Sequence, residues 1–133
     1  ETPDGEGRPE AVNDKGEVAG AYSVYDADGS NIRYPVVWTP DGQMYKLESF
    51  GFPGQAMDIN DRGEVVGSIM PPTAPGVTVI WRNGQPPIPL ETLRQPVQIF
   101  GTGIHINNAG QIICYGSRND QYGYFFLQPR YLR

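Results

Sequence analysis

Apolar residues in this chain fall in short clusters, each closed within a few positions by glycine, proline or asparagine. Nowhere do they recur at the helical interval of about 3.6 residues. The clearest stretch contains "AMDIN" (56–60), "EVVGSIM" (64–70), "VTVIWR" (77–82) and "PPIPL" (86–90), which predict four strands separated by turn-forming residues. Adjacent apolar residues, Val65 with Val66 and Ile112 with Ile113, suit a strand covered on both faces.

One phrase is written three times. "NDRGEVVG" (Asn60 to Gly67) is matched by "NDKGEVAG" (Asn13 to Gly20) and "NNAGQIIC" (Asn107 to Cys114), each copy 47 residues after the last. Asparagine at the first position of a type I turn bonds its own backbone, and glycine at the fourth takes positive φ without steric cost. Asn13 and Gly16, Asn60 and Gly63, and Asn107 and Gly110 therefore predict three tight hairpin loops, each with a bulge.

Extending the match outward divides the chain into units 1–47, 48–90 and 91–133, opened by Glu1, Glu48 and Glu91 and closed by Leu47, Leu90 and Leu132. Trp38, Trp81 and Phe126 recur near the end of each third strand and are expected to plug the space between sheets. The small residue at Gly67 is expected to let a neighbouring sheet approach, and Cys114 takes the same place in the third copy as an inert core residue. Four strands in each unit of 43 to 47 residues predict an all-β fold of β-propeller blades: three four-stranded antiparallel repeats, half or part of a propeller.

The unit also resembles the bacterial extracellular HAF repeats, whose pattern is A-x-x-I-N-D-x-G-x-V-V-G followed by H-A-F-x-W and a leucine-containing last strand. "AMDINDRGEVVG" is similar to the first part, and "YGYFFLQP" (Tyr122 to Pro129) to the phrase that ends such proteins. Where the naming tripeptide should fall, the chain instead has "YPV" (34–36), "VTV" (77–79) and "GYF" (123–125). The resemblance covers the whole chain and implies a propeller and a secreted or cell-surface location. It implies no activity.

Composition adds limits. The chain has 133 residues, of which 38% are hydrophobic and 11% aromatic, enough for a packed core. Its 17 glycines and 13 prolines lie between strand-like runs and read as turns rather than as low complexity. No apolar run reaches the roughly 18 residues of a membrane helix, and residues 1–10 lack the basic start and apolar core of a signal peptide. The net charge of −5 argues against a nucleic-acid partner, which requires a basic surface. Charge is uneven: residues 1–67 hold 13 acids and 5 bases, whereas residues 68–133 hold 5 arginines against Glu91 and Asp120. Propellers close with roughly four to eight blades, so three require completion. Either two copies join head to tail as a six-bladed homodimer, which the charge asymmetry favours, or a longer chain supplies further blades.

Candidate chemistry is sparse. His105, the single histidine, stands two residues before Asn107 on a first strand, where a propeller lines its channel, with Asp58 expected nearby as a co-ligand or acid–base partner. No second histidine and only one cysteine accompany it, so no transition-metal site and no cofactor are expected. "DADGSN" (26–31) alternates oxygen donors at Asp26, Asp28 and Ser30, but a calcium loop needs glycine at Asn31 and glutamate at Val37. A hairpin tip is predicted instead. Tyr25, Tyr34 and Tyr122 are candidates for stacking on sugar rings or anchoring a protein partner. No nucleophile elbow or phosphate loop is present. The expectation is a noncatalytic module binding a glycan or protein partner, with "YSVYDADGSNIRY" (22–34) as the first contact surface. The alternative is a carbohydrate-active hydrolase or lyase using Asp58 and His105.

Overall fold

The computed structural model describes residues 5–72, 76–90, 98–99, 104–118 and 120–127. These residues form three antiparallel sheets with almost no helix. The first sheet is a meander of β1 (Gly5–Val12), β2 (Val18–Tyr25), β3 (Asn31–Trp38) and β4 (Met44–Lys46). The second repeats that order with β5 (Gly54–Ile59), β6 (Val65–Ile69), β7 (Val77–Trp81) and β8 (Ile88–Pro89). The third contains β9 (Gln98–Ile99), β10 (His105–Ile106), β11 (Ile112–Arg118) and β12 (Gln121–Leu127). Here β9 and β10 share one edge of β11, opposite Gly116–Ser117 and Ile112–Ile113 respectively, and β12 takes the other edge. A last strand closed by Leu132 lies outside the described residues.

The four runs expected in the second unit coincide with β5 to β8, with no boundary differing by more than two residues. The three Asn–Gly turns close as expected. Gly16, Gly63 and Gly110 take φ of 80°, 78° and 82°, and each donates its N–H to the carbonyl of the turn asparagine.

Gly67 serves a different purpose from the one expected. A Cβ there would fall inside the contact radius of the Gln55 carbonyl oxygen and only 2.9 Å from Ala56 Cα. The close neighbour is thus β5 of the same sheet, at the register shift between Ala56 and Asp58, and not another sheet. Gly20 meets Arg8 and Pro9 in the same way opposite the shift in β1. Cys114 is buried at the equivalent position, its Sγ 3.8 Å from the Phe125 carbonyl oxygen.

Alternation along β6 and β7 builds two cores from one sheet. Val65, Val79 and Trp81 join Ala19, Ala56, Ile59 and Ile69 against the first sheet. Their neighbours Val66 and Ile80 turn the other way and join Ile104, Ile106, Ile112, Cys114 and Leu127 against the third. Burying a Val or Ile side chain stabilises by about 1.5–3 kcal/mol, so the adjacent apolar pairs clamp the middle sheet on both faces. Register corrects the third aromatic plug. Trp38 pairs with Val18, Trp81 with Val65 and Leu127 with Ile112, so Leu127 occupies the tryptophan position and Phe126 points to the opposite face. The Trp81 indole also donates to the Glu48 carbonyl oxygen at 2.8 Å, fixing the connection between the first two sheets.

Candidate functional site

At one end of the sheets the three turns are stacked and bonded to one another. Asn13 Nδ2 donates to the Asn60 carbonyl oxygen at 2.9 Å, and Asn60 Nδ2 donates to that of Asn107 at 3.0 Å. A second rail runs beside the first. Asp14 N donates to Asp61 Oδ1 and Asp61 N to Asn108 Oδ1, both at 2.7 Å. The repeat spacing of the sequence is therefore also a hydrogen-bond spacing, 47 residues at every rung.

Each asparagine is held for this task by its own turn. Asn60 Oδ1 accepts from Arg62 N at 3.1 Å and Glu64 N at 2.9 Å, which leaves both amide protons pointing away from the turn. One goes to the next sheet and the other to Glu64 Oε1 at 2.8 Å. Glu17 and Gln111 accept from Asn13 and Asn107 in the same way. Glu64 is only 4% exposed, and Arg62 and Arg82 each reach it at 3.1 Å. A buried carboxylate is tolerated because it is paired and hydrogen-bonded. Its signal in the sequence is an acid or amide four residues after each turn asparagine, Glu17, Glu64 and Gln111, a pattern absent from the expectations above.

Acid meets acid on the second rail. The Asp14 carboxyl is raised above the usual carboxylate value by a hydrogen bond shared with Asp61 and by that neighbour's charge. Asp61 is lowered, chiefly by the Asp14 backbone N–H. Asn108 removes the conflict in the third copy, where its Nδ2 donates to Asp61 Oδ2 at 2.8 Å.

Asp58 and His105 come together beside these turns, Asp58 Oδ2 lying 3.8 Å from His105 Nδ1. The imidazole is 70% exposed. Both Asp58 oxygens also accept backbone N–H groups at 2.9 Å, Oδ1 from Ile59 and Oδ2 from Ile106. Asp58 is therefore a tie from the second sheet to the third as well as a neighbour of the histidine.

The remaining candidates lie elsewhere. Tyr25, Asp26 and Asp28 are at the β2–β3 connection, which antiparallel order puts at the opposite end of the first sheet from the Asn13 turn. Asp26 and Asp28 form the expected hairpin tip: Asp26 N donates to the Ser30 carbonyl oxygen, and Ser30 N donates to both carboxylates at 2.9 Å. The hydrogen bond shared with Asp26, followed by those from Ser30, lowers Asp28 to about 2. Tyr34 lies on β3 with Lys46 Nζ 4.1 Å above its ring, at the border of a cleft of about 400 Å³ lined also by Glu48, Ser49 and Gln85. Tyr122 is exposed on β12 opposite Ser117.

Among the described residues, no group of three or more His, Cys, Asp and Glu side chains is placed to hold a metal ion, and no helix is long and apolar enough to cross a membrane. No family model, no curated protein and no solved structure matches the chain.

Proposed function

We propose that this chain is a noncatalytic, secreted or cell-surface repeat module of propeller type that binds a glycan or protein partner through its loops. Self-association or further repeats of a longer chain would complete its ring. The observation that carries the reading is the two-rail ladder. The same pair of bonds, with the same polarity, joins the first sheet to the second and the second to the third. A constant relation between successive four-stranded sheets is what blades around an axis require. Similarity to the extracellular HAF repeats supports the exported location.

The β2–β3 tip is the proposed contact. Its backbone is ordered by the Asp26 and Asp28 carboxylates, so little conformational entropy is lost on binding. Tyr25 beside it is exposed and offers a ring face to a sugar or an apolar side chain. A glycan array followed by titration of any ligand found, and of candidate surface proteins, tests this. Tyr25→Ala and Asp28→Ala should each weaken binding about tenfold, a loss of roughly 1.4 kcal/mol. Binding that survives both changes contradicts the proposal, as does the absence of any ligand.

The hydrolase or lyase alternative draws on the approach of Asp58 to His105. Turnover of a glycan by the parent chain, abolished in His105→Ala and Asp58→Asn, would favour it over binding alone. No turnover is expected, because the Asp58 oxygens already serve two backbone N–H groups.

A further inference from the structure

The ladder has two unlike ends. Every rung runs the same way, with a turn donating to the turn 47 residues after it. The outer side of the first turn presents acceptors, the Asn13 carbonyl oxygen, which takes the Gly16 N–H of its own turn, and the exposed Asp14 carboxyl, which is shared with Asp61. The third is left with donors, because one Asn107 amide proton is taken by Gln111 while the other, with the Asn108 N–H, has no acceptor among the described residues. These are the two halves of one further rung.

The apolar faces carry the same asymmetry. Ala19 is covered by the second sheet, together with its cross-strand partner Val37. Val66 and Ile80 hold the same register and are covered by the third sheet. The equivalent pair in the third sheet, Ile113 and Phe126, is 42% and 45% exposed. On the opposite faces, Ile59, Val65 and Trp81 pack on the first sheet, while Ile106, Ile112 and Leu127 pack on the second. Their counterpart Val12 in the first sheet is 65% exposed, with Val18 and Trp38 half-buried beside it. An interface made twice within the chain is thus presented in two unmated parts, donor end with donor end's apolar pair, acceptor end with acceptor end's.

We infer that these parts mate between copies: the open face of the third sheet of one chain, with Asn107 and Asn108, packs on the open face of the first sheet of a second chain, with Asn13 and Asp14. The proposed occupant is a second copy, whose first sheet offers both the polar rung and the apolar register found inside the chain, and whose acidic first half complements the less acidic second half. Two such contacts, related by a twofold axis, give a ring of six sheets. Closure at two copies rests on the propeller reading above; the pairing of the two faces rests on the ladder and the core. The contact is heterologous, donor face to acceptor face, unlike the self-complementary patch of an ordinary twofold dimer.

The test uses two single variants at exposed positions, Ile113→Lys on the donor face and Val12→Asp on the acceptor face, with solution mass measured by light scattering. The parent chain should run at twice its 14.7 kDa. Each variant alone should fall to the monomer mass with its strand circular dichroism unchanged, since each spoils both contacts of its own ring. Mixed in equal amounts they should return to the dimer, because one contact is then wild type and the other sets lysine against aspartate. A monomeric parent overturns the inference whatever the variants do, and so does an open series of larger assemblies. A dimer untouched by Val12→Asp, or a mixture that stays monomeric, also overturns it by pointing to a different surface. None of these outcomes bears on whether the Tyr25 and Asp28 tip binds a ligand, so the two proposals fail separately.

Discussion

The side-chain amide of Asn60 donates to the backbone carbonyl oxygen of Asn107, 3.0 Å away and 47 residues later in the chain. A turn residue in one sheet thereby fixes the position of the equivalent turn in the next, and Asn13 repeats the act one sheet earlier. The cost of a side chain that both closes its own loop and reaches across an interface falls on stability when it is removed.

Asn60→Ala should destabilise the chain by roughly 3 kcal/mol, because four hydrogen bonds are lost and buried Glu64 gives up a donor. Asn60→Asp should do little better, placing a second negative charge beside Glu64. Asn107→Ala, exposed and making fewer contacts, should cost about 1 kcal/mol. Urea denaturation checks all three; equal costs at the two positions would contradict an inter-sheet role for Asn60.

Asp14→Asn should stabilise the chain near neutral pH by replacing a like-charge contact with the amide–carboxylate arrangement that Asn108 already shows. The sign follows from the raised Asp14 value. Holding a proton longer in the folded state contributes stability that is present below 3.8 and is lost as pH rises through the folded value. Asp61, Asp41 and Asp28 are lowered, so their contributions run the other way, present above 3.8 and lost as pH falls. The gain in Tm of Asp14→Asn over the parent should therefore be larger at pH of about 7 than at about 3. A gain that is constant with pH would contradict the pairing.

Two glycines separate backbone conformation from crowding. Gly63→Ala meets open space but keeps φ of 78°, for about 1 kcal/mol. Gly67→Ala drives a methyl group into the Gln55 carbonyl, for roughly 3 kcal/mol or loss of folding. Thermal unfolding of the two variants should rank them in that order.

Asp58→Ala should cost about 1–2 kcal/mol through the loss of its bonds to Ile59 and Ile106, and Asp58→Asn less, since one acceptor oxygen remains. His105→Ala should change stability by no more than about 0.5 kcal/mol, as expected for an exposed partner. A large effect at His105 in calorimetry would mean that the histidine, and not the aspartate, holds the third sheet.

The all-β class and the strands of the second unit were legible in the sequence because Val65, Val66, Val79 and Ile80 sit in short apolar runs bounded by turn residues. The Asn–Gly turns were legible for the same local reason. What depends on the next sheet was not. Nothing in "NDRGE" tells that the Asn60 amide leaves its turn for Asn107, or that Glu64 is buried under Arg62 and Arg82. The run "FFL" offers three apolar side chains in succession, and only strand register decides that Leu127 faces the core while Phe126 faces out. Among the site candidates, Asp58 and His105 meet because each stands two residues before a stacked turn asparagine, whereas Asp26 and Asp28 lie at the far end of the first sheet. Residues grouped by chemical type alone carry no information about which end of a hairpin they occupy.

The inter-sheet ladder is tested most directly by side-chain amide hydrogen exchange in a ¹⁵N-labelled chain. The Asn13 and Asn60 side-chain protons should exchange far more slowly than those of a free asparagine, with Overhauser contacts linking the Asn60 amide to the turn at Asn107. If both exchange at the free rate and no such contacts are seen, the turns are not stacked and the sheets do not stand in the relation described.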